Sequence, residues 1–166
     1  MTYYAMIPAA GAGLRMANAT PKQYVPLAGH PLIWHALRAL CAHPAVERVF
    51  VVISADDKYW ADEAMKNLGG RVHVLRCGGE TRAQSVLNGL REMGKLLSAE
   101  ALENMTAHWV LVHDAARPCL TAPLIDALIS EVGDDPVGGI LAVPVADTLK
   151  RARQLPEVVT EGARIV

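Results

Sequence analysis

The chain has 166 residues, of which 52% are hydrophobic and 20% are charged, and its formal net charge is −1. This length fits one domain with a real core, and the composition excludes an intrinsically disordered chain. The near-neutral charge provides no basic field for nucleic acid. We therefore do not expect a nucleic acid as partner. Because no apolar run reaches membrane-spanning length and no basic segment precedes an apolar one at the N-terminus, we do not expect a membrane as partner either.

The first half of the chain alternates between strand and helix patterns. A strand is predicted over YYAMIP, and HPLIWHALRALCAHP has the apolar spacing of an amphipathic helix. The run VERVFVVIS is short and β-branched, which is typical of a buried strand. A helix is predicted over DDKYWADEAMKNL, and the glycine pair that follows would end it.

The second half continues the alternation. Strands are predicted over RVHVLRC and HWVLVHDAARP, with a helix over GGETRAQSVLNGLREMGKLL between them. Thr121 has the position of an N-cap for a helix over APLIDALISEV, with Pro123 in its first turn. A further strand is predicted over GGILAVPVADTL. Near-continuous apolar strands that alternate with helices indicate a three-layer α/β/α fold with a mostly parallel sheet.

The three cysteines, Cys41, Cys77 and Cys119, are odd in number and far apart in sequence. They have neither metal-ligand spacing nor the pattern of a disulfide framework. We therefore interpret them as small core residues of a reduced, cytoplasmic protein.

Ligands of parallel sheets bind at the carboxyl ends of the strands, and the loop PAAGAGLRM follows the first predicted strand. Gly11 and Gly13 permit positive φ and close backbone approach, so this loop could cradle a phosphate, with Arg15 and Lys22 as nearby cations. The alternative is a tight turn followed by two solvated cations. The dinucleotide fingerprint is excluded because Met16 stands where its third glycine belongs, and the loop lacks the Gly-Lys-Ser/Thr of a Walker A motif.

A carboxylate follows a later strand, in the stretch LVHDAARP. Asp114 would repel phosphates bound at the same edge of the sheet unless a divalent cation lay between them. The alternative is that Asp114 caps a turn or helix. His113 would point to the other side of the strand, so we interpret it as structural.

Taken together, PAAGAGLRM, PKQY, GGETRAQSV, VHDAARP and GGILAVPVADTLKR resemble, in this order, the 2-C-methyl-D-erythritol 4-phosphate cytidylyltransferase family. The resemblance runs from about residue 4 to residue 152 and implies a Rossmann-like sheet of the nucleotidyltransferase type. It also implies transfer of a cytidylyl group from CTP to methylerythritol phosphate, with release of pyrophosphate, in isoprenoid precursor biosynthesis. Mg²⁺ and a homodimer are implied as well.

The resemblance assigns roles residue by residue. Arg15 and Lys22 would hold the triphosphate and stabilise the transition state, and Asp114 would hold the metal and contact the nucleotide. Arg117 and Thr148 match positions that face the acceptor. Arg82 is either part of the base-recognising loop or a solvated charge at a helix start. The remaining positions implied to bind the nucleotide are Pro8, Ala9, Ala10, Gly11, Gly13, Gly79, Glu80, Ser85 and Ala115.

One departure from the family lies near the end of the sequence. After ADTLKRA the family continues through a β-arm and an acceptor loop, whereas this chain proceeds directly to RQLPEVVTEGARIV. We expect one nucleotidyltransferase domain over residues 1–166, with that segment missing at about 152–155, and a full polypeptide longer than 166 residues. Two alternatives stay open: a nucleotidyltransferase for another acceptor, such as ribitol phosphate or a sugar phosphate, and a non-catalytic nucleotide-binding domain.

Overall fold

The computed structural model describes residues 2–11, 20–97, 108–133, 135–146, 152–153 and 164–165. The strands in this part are β1 (Thr2–Pro8), β2 (Pro26–Leu27), β3 (His30–Pro31), β4 (Val46–Val52), β5 (Val72–Leu75), β6 (His108–Val112), β7 (Ala152–Arg153) and β8 (Arg164–Ile165). The helices are α1 (Leu32–Ala42), α2 (Asp62–Met65), α3 (Arg82–Leu96) and α4 (Ala122–Val132), with 3₁₀ turns at Lys22–Tyr24 and Lys66–Leu68.

A parallel sheet of four strands, in the order β5-β4-β1-β6, forms the centre of the fold. Strand β1 lies between β4 and β6, and its residues from Tyr4 to Ile7 are buried. Burial on both faces explains why the strands read as near-continuous apolar runs rather than alternating ones. The predicted α/β fold with a mostly parallel sheet is confirmed.

Helices cover both faces of this sheet. Met93 of α3 packs with Met6 and Phe50 on one face. Leu37 of α1 and Ile125 of α4 belong to the core of the other face, which is formed by alternate strand residues. Because successive side chains of a strand point to opposite faces, one buried strand supplies both cores, and three layers result.

The helix predicted over residues 56–68 is much shorter in the structure. The side chain of Asp57 accepts hydrogen bonds from the backbone N–H groups of Tyr59 and Trp60, both at 2.9 Å. A carboxylate that binds the backbone two and three residues ahead stabilises a turn in place of helix. Helix α2 therefore begins only at Asp62, while Gly69, with φ 76°, ends the following 3₁₀ turn as predicted.

The strand predicted over residues 138–149 is wrong for its described part, because residues 138–146 have no strand structure. Ile140 and Val143 are 86% and 85% exposed. Asp135 accepts hydrogen bonds from the N–H groups of Val137 and Gly138, at 2.8 and 3.0 Å, which bends the chain just before this run. An apolar run becomes a strand only when its backbone finds a partner, and residues 138–146 pair with no strand.

The predicted cap of α4 is present in position but not in hydrogen bonding. Thr121 occupies the N-cap of α4 with a proline in the first turn, but its side chain makes no capping hydrogen bond.

Cys41 and Cys77 are half-buried and free, and burial raises the pKa of Cys41 to about 11 and also raises the pKa of Cys77. Cys119 is exposed, so its interpretation as a core residue is wrong. Within the described ranges, no helix has the length and apolarity needed to cross a bilayer.

Candidate active site

A cleft of about 500 Å³ opens at the carboxyl edge of the sheet. The loops after β1, β5 and β6 form its walls, together with the 3₁₀ turn that begins at Lys22. Its lining residues are Pro8, Ala9, Ala10, Gly11, Lys22, Gln23, Gly79, Glu80, Thr81, Arg82, Ser85, Asp114, Ala115, Ala116 and Arg117. The three strand loops are far apart in sequence and meet because parallel strands end at the same edge.

The loop after β1 is continuous with the sheet before it enters the cleft. The N–H of Ala9 donates to the carbonyl of Val52 at 2.7 Å, which continues the hydrogen-bond pattern between β1 and β4 by one residue. Gly11 is exposed, and a Cβ added there would have no neighbour within 4 Å. Its φ lies outside the left-handed region, so Gly11 does not use the positive φ that glycine permits. Gly11 therefore leaves open space in which a ligand can approach the main chain, and the backbone at this residue is not strained.

The glycine pair after β5 permits close contact between two loops. A Cβ at Gly78 would lie 2.2 Å from the Cβ of Ala10 and 2.9 Å from the carbonyl oxygen of Ile53. At Gly79 an added Cβ would lie 2.3 Å from Cγ of Gln84. A side chain at Gly78 would push the two loops apart, and one at Gly79 would collide with the first turn of α3, so both glycines are needed for the shape of the cleft.

Ser85 holds the end of this glycine loop against the first turn of α3. Its hydroxyl accepts from the N–H of Gly79 at 3.0 Å and is placed to donate to the carbonyl of Thr81 at 3.0 Å. Ser85 is 3% exposed, whereas Glu80 is exposed at the rim. With its single proton used, the hydroxyl of Ser85 can only accept from a bound molecule.

Asp114 lies between two guanidinium groups. Its Oδ1 accepts from Arg82, through Nε at 3.1 Å and Nη2 at 2.9 Å, and its Oδ2 accepts from Nε of Arg117 at 2.9 Å. Arg82 starts α3, so this ion pair connects the β5 loop with the β6 loop. His113 shapes the same loop by donating to the carbonyl of Arg117 at 3.0 Å, which agrees with its structural interpretation.

The cleft lining contains two carboxylates, Glu80 at the rim and Asp114, and no group of three or more His, Cys, Asp or Glu side chains occurs among the described residues. Mg²⁺ commonly takes one or two carboxylates and completes its shell with phosphate oxygens and water. Asp114 already faces Arg82 and Arg117, but Oδ2 accepts a single N–H and keeps a lone pair. The donor set therefore fits a cation that arrives with a phosphorylated ligand.

The cleft brings together eleven of the fourteen residues predicted for the site. The other three, Gly13, Arg15 and Thr148, lie outside the described residues, so their placement stays a prediction. Sequence reasoning missed Gln23, whose side chain is buried against the β1 loop. The only signal for it was a polar residue between Lys22 and Tyr24 in the PKQY motif. Arg82, left open between two interpretations, is part of the site wall.

Comparison with known proteins identifies the family. The family model for 2-C-methyl-D-erythritol 4-phosphate cytidylyltransferase matches residues 3–164. The protein of that name from Dechloromonas aromatica is 55% identical over 150 residues, which are 90% of this chain and 63% of the relative.

Two solved structures agree with this match. A 4-diphosphocytidyl-2C-methyl-D-erythritol synthase has a TM-score of 0.73 and 38% identity, with 92% of this chain and 63% of the other covered. The 2-C-methyl-D-erythritol 4-phosphate cytidylyltransferase of Francisella tularensis has a TM-score of 0.69 and 31% identity, with coverage of 93% and 63%. The chain thus spans slightly less than two thirds of the length of these proteins. It belongs to the 2-C-methyl-D-erythritol 4-phosphate cytidylyltransferase family.

Proposed function

We propose that the protein transfers a cytidylyl group from CTP to 2-C-methyl-D-erythritol 4-phosphate and releases pyrophosphate, in isoprenoid precursor biosynthesis. The observation that carries this proposal is the cleft of about 500 Å³, in which residues from four of the five family motifs lie together. A volume of this size suits a nucleotide-sized ligand. The names of the relatives support the choice of CTP and of the acceptor.

In this reaction a phosphate oxygen of the acceptor attacks the α-phosphorus of CTP. A new P–O bond forms, and the bond from the α-phosphorus to the bridging oxygen breaks as pyrophosphate leaves with its electron pair. Charge develops on the α-phosphate oxygens and on the leaving group, so catalysis depends on positioning and on nearby cations. Lys22 is exposed and lines the cleft, which fits this role. Arg15 is proposed as the second cation.

The base and ribose are proposed to lie over the backbone of the β1 loop. Ala9, Ala10 and Gly11 present no side chain larger than a methyl group, so a flat ring can approach the main chain. Ser85 can accept but not donate, and the exocyclic amino group of cytosine is a donor. Pro8, Gly13, Gly79, Glu80 and Ala115 are proposed to complete this nucleotide-binding surface.

The metal and the acceptor are proposed on the β6 side. Asp114 would contribute one oxygen to Mg²⁺, which when bound neutralises charge on the phosphates. Arg117 is exposed and would meet the acceptor phosphate, and Thr148 is proposed to contact the same molecule. The arginine pair around Asp114 keeps two further cations at this end of the cleft.

The assembly and location are also proposals. A homodimer follows from the resemblance, and the exposed apolar residues Val137, Ile140 and Val143 would suit an interface. A cytoplasmic location is supported by the free state of all three cysteines. A β-arm and an acceptor loop at about residues 152–155 would belong to the longer polypeptide, with residues 1–166 forming one nucleotidyltransferase domain.

The test is a turnover screen of the full-length protein with Mg²⁺, in which CTP is combined with methylerythritol phosphate, ribitol phosphate and sugar phosphates and pyrophosphate release is followed. We expect release only with methylerythritol phosphate. Release with another acceptor alone would replace the proposed substrate. Binding of CTP without turnover on any acceptor would indicate a non-catalytic nucleotide-binding domain. Equal affinity for ATP and CTP in calorimetry would refute base recognition by the β5 loop.

A further inference from the structure

Gln23 is a buried polar side chain to which the proposed reaction assigns no role. It is 6% exposed and lies in the 3₁₀ turn Lys22–Tyr24. Its Nε2 donates to the carbonyl of Ala9 at 2.7 Å and to the carbonyl of Gly11 at 3.2 Å. A buried amide is costly unless its donors are satisfied, and here both donors are used on one short loop.

These two bonds determine how the β1 loop lies. The amide must present its nitrogen to the loop, because its oxygen would face two carbonyl oxygens. With the carbonyl of Ala9 turned toward Gln23, the N–H of Ala10 in the same trans peptide is turned the other way. The two bonds therefore hold both ends of the segment from Ala9 to Gly11, whose small side chains form the open floor of the cleft.

The turn that carries Gln23 is itself anchored. The hydroxyl of Tyr24 donates to Oδ2 of Asp57 at 2.9 Å, and its ring stacks on Tyr59 with centroids 5.8 Å apart. Burial, together with this hydrogen bond, raises the pKa of Tyr24 well above its usual value, so the phenol remains a donor at neutral pH. Lys22 belongs to the same turn and is therefore anchored with it.

We propose that Gln23 is a positioning residue that holds the nucleotide floor, Ala9–Gly11, at a set distance from Lys22. The proposal rests on the proposed function for its kinetic consequence. The cation must meet the phosphates while the base and ribose lie on the floor, and the side chain of Gln23 bonds that floor to the turn that carries Lys22. Loss of this connection would leave both groups in place but free to move relative to each other.

The first experiment measures the loop without any ligand. Hydrogen exchange by mass spectrometry is compared between the wild-type protein, Gln23→Ala and the milder Gln23→Asn, which keeps an amide but has a shorter reach. We expect exchange in peptides that cover residues 5–11 to quicken about tenfold, the size expected when about one net hydrogen bond is lost. Peptides from β4 serve as the internal reference. His43→Ala, which removes another buried side chain that is bonded far from the cleft, is the matched control.

The second experiment follows CTP affinity and turnover. Gln23→Asn is expected to raise the Kd for CTP several-fold and to lower kcat, whereas His43→Ala changes neither. Gln23→Glu should lose CTP affinity at pH 8 and recover part of it at pH 6 relative to wild type. A protonated carboxyl can still donate one hydrogen bond to the loop and the carboxylate cannot. His43→Ala, which keeps the Gln23 amide, should show no such recovery.

The outcomes separate the two proposals. Unchanged exchange over residues 5–11 in a folded Gln23 variant would overturn the proposal, as would faster exchange with wild-type Kd and kcat. If the wild-type protein neither binds CTP nor turns over, the proposed function fails. The exchange result then still decides whether Gln23 holds the loop.

Discussion

The packing of α3 on the sheet depends on the absence of a side chain at Gly89, and Gly89→Ala tests this directly. A Cβ at this position would lie 2.5 Å from Cγ2 of Val52 and 3.0 Å from both Sδ and Cε of Met6. Met6 and Val52 are fully buried in β1 and β4. The thioether of Met6 can adjust its rotamer, but the branched Val52 in a central strand has no space to yield.

Two opposing contributions set the magnitude. Alanine is favoured over glycine inside a helix by about 1 kcal/mol, which would stabilise the variant if the site were open. An extra carbon forced into a packed core costs about 1–3 kcal/mol, and a 2.5 Å contact belongs at the upper end of that range. We therefore expect a net loss of about 1–2 kcal/mol in the free energy of unfolding. For a chain of this size the corresponding fall in Tm is about 2–8 °C.

The assay is chemical denaturation of four proteins: wild type, Gly89→Ala, Val52→Ala and the double variant. Removing the methyl groups of Val52 makes room for the new Cβ, so the two changes should be less than additive by about 1 kcal/mol or more. Because Ser85 lies one turn before Gly89 on α3, the single variant should also weaken CTP binding. A stabilised Gly89→Ala, or strict additivity in the double variant, would refute the clash.

Lys22→Ala and Arg15→Ala should each lower turnover by roughly 10²–10³-fold while changing CTP binding much less, because a cation that meets developing charge acts on the transition state; near-normal turnover at saturating CTP would remove that residue from catalysis. Asp114→Asn should raise the Mg²⁺ concentration for half-maximal turnover about tenfold or more, and an unchanged titration would show that this carboxylate is not a ligand. At pH 8, iodoacetamide should modify the exposed Cys119 well before Cys41, whose pKa of about 11 leaves about one thiol in a thousand ionised, as peptide mapping will show. Intact-mass spectrometry of the expressed protein should show a mass clearly above 17.8 kDa, whereas a mass near that value would indicate a true deletion at about residues 152–155.

The sequence predicted those parts of the molecule that depend on local pattern. Apolar strands followed by glycine-rich or acidic loops were enough to place Gly79 and Asp114 at one edge of a parallel sheet. The features that it did not predict depend on contacts between distant segments. Tyr24 meets Asp57 across 33 positions, and Gln23 reaches Ala9 across 14, and neither pairing leaves a periodic signal.

The incorrect strand prediction over residues 138–149 has a related cause. β-branched and apolar residues such as Val143 and Val145 fit a strand, but propensity supplies no partner for the backbone. Such a run joins a sheet only if the edge strand of that sheet lies within hydrogen-bonding reach of its backbone. The bend at Asp135 just before the run changes the direction in which the chain continues. The backbone conformation of Gly11 is a similar case. Glycine permits a positive φ without requiring it, and Gly11 does not adopt one.

The strand order has a consequence for how the chain folds during synthesis. β1 is synthesised before both of its neighbours in the sheet, which begin at Val46 and His108. At about 5–20 residues per second, β1 waits roughly 5–20 seconds before β6 is made, with an apolar edge unpaired. Asp114 follows β6, so the ion pair with Arg82 can form only after β6 has docked. A nascent chain therefore cannot form the whole cleft until β6 has docked, and the interval before that is when it most needs protection from aggregation.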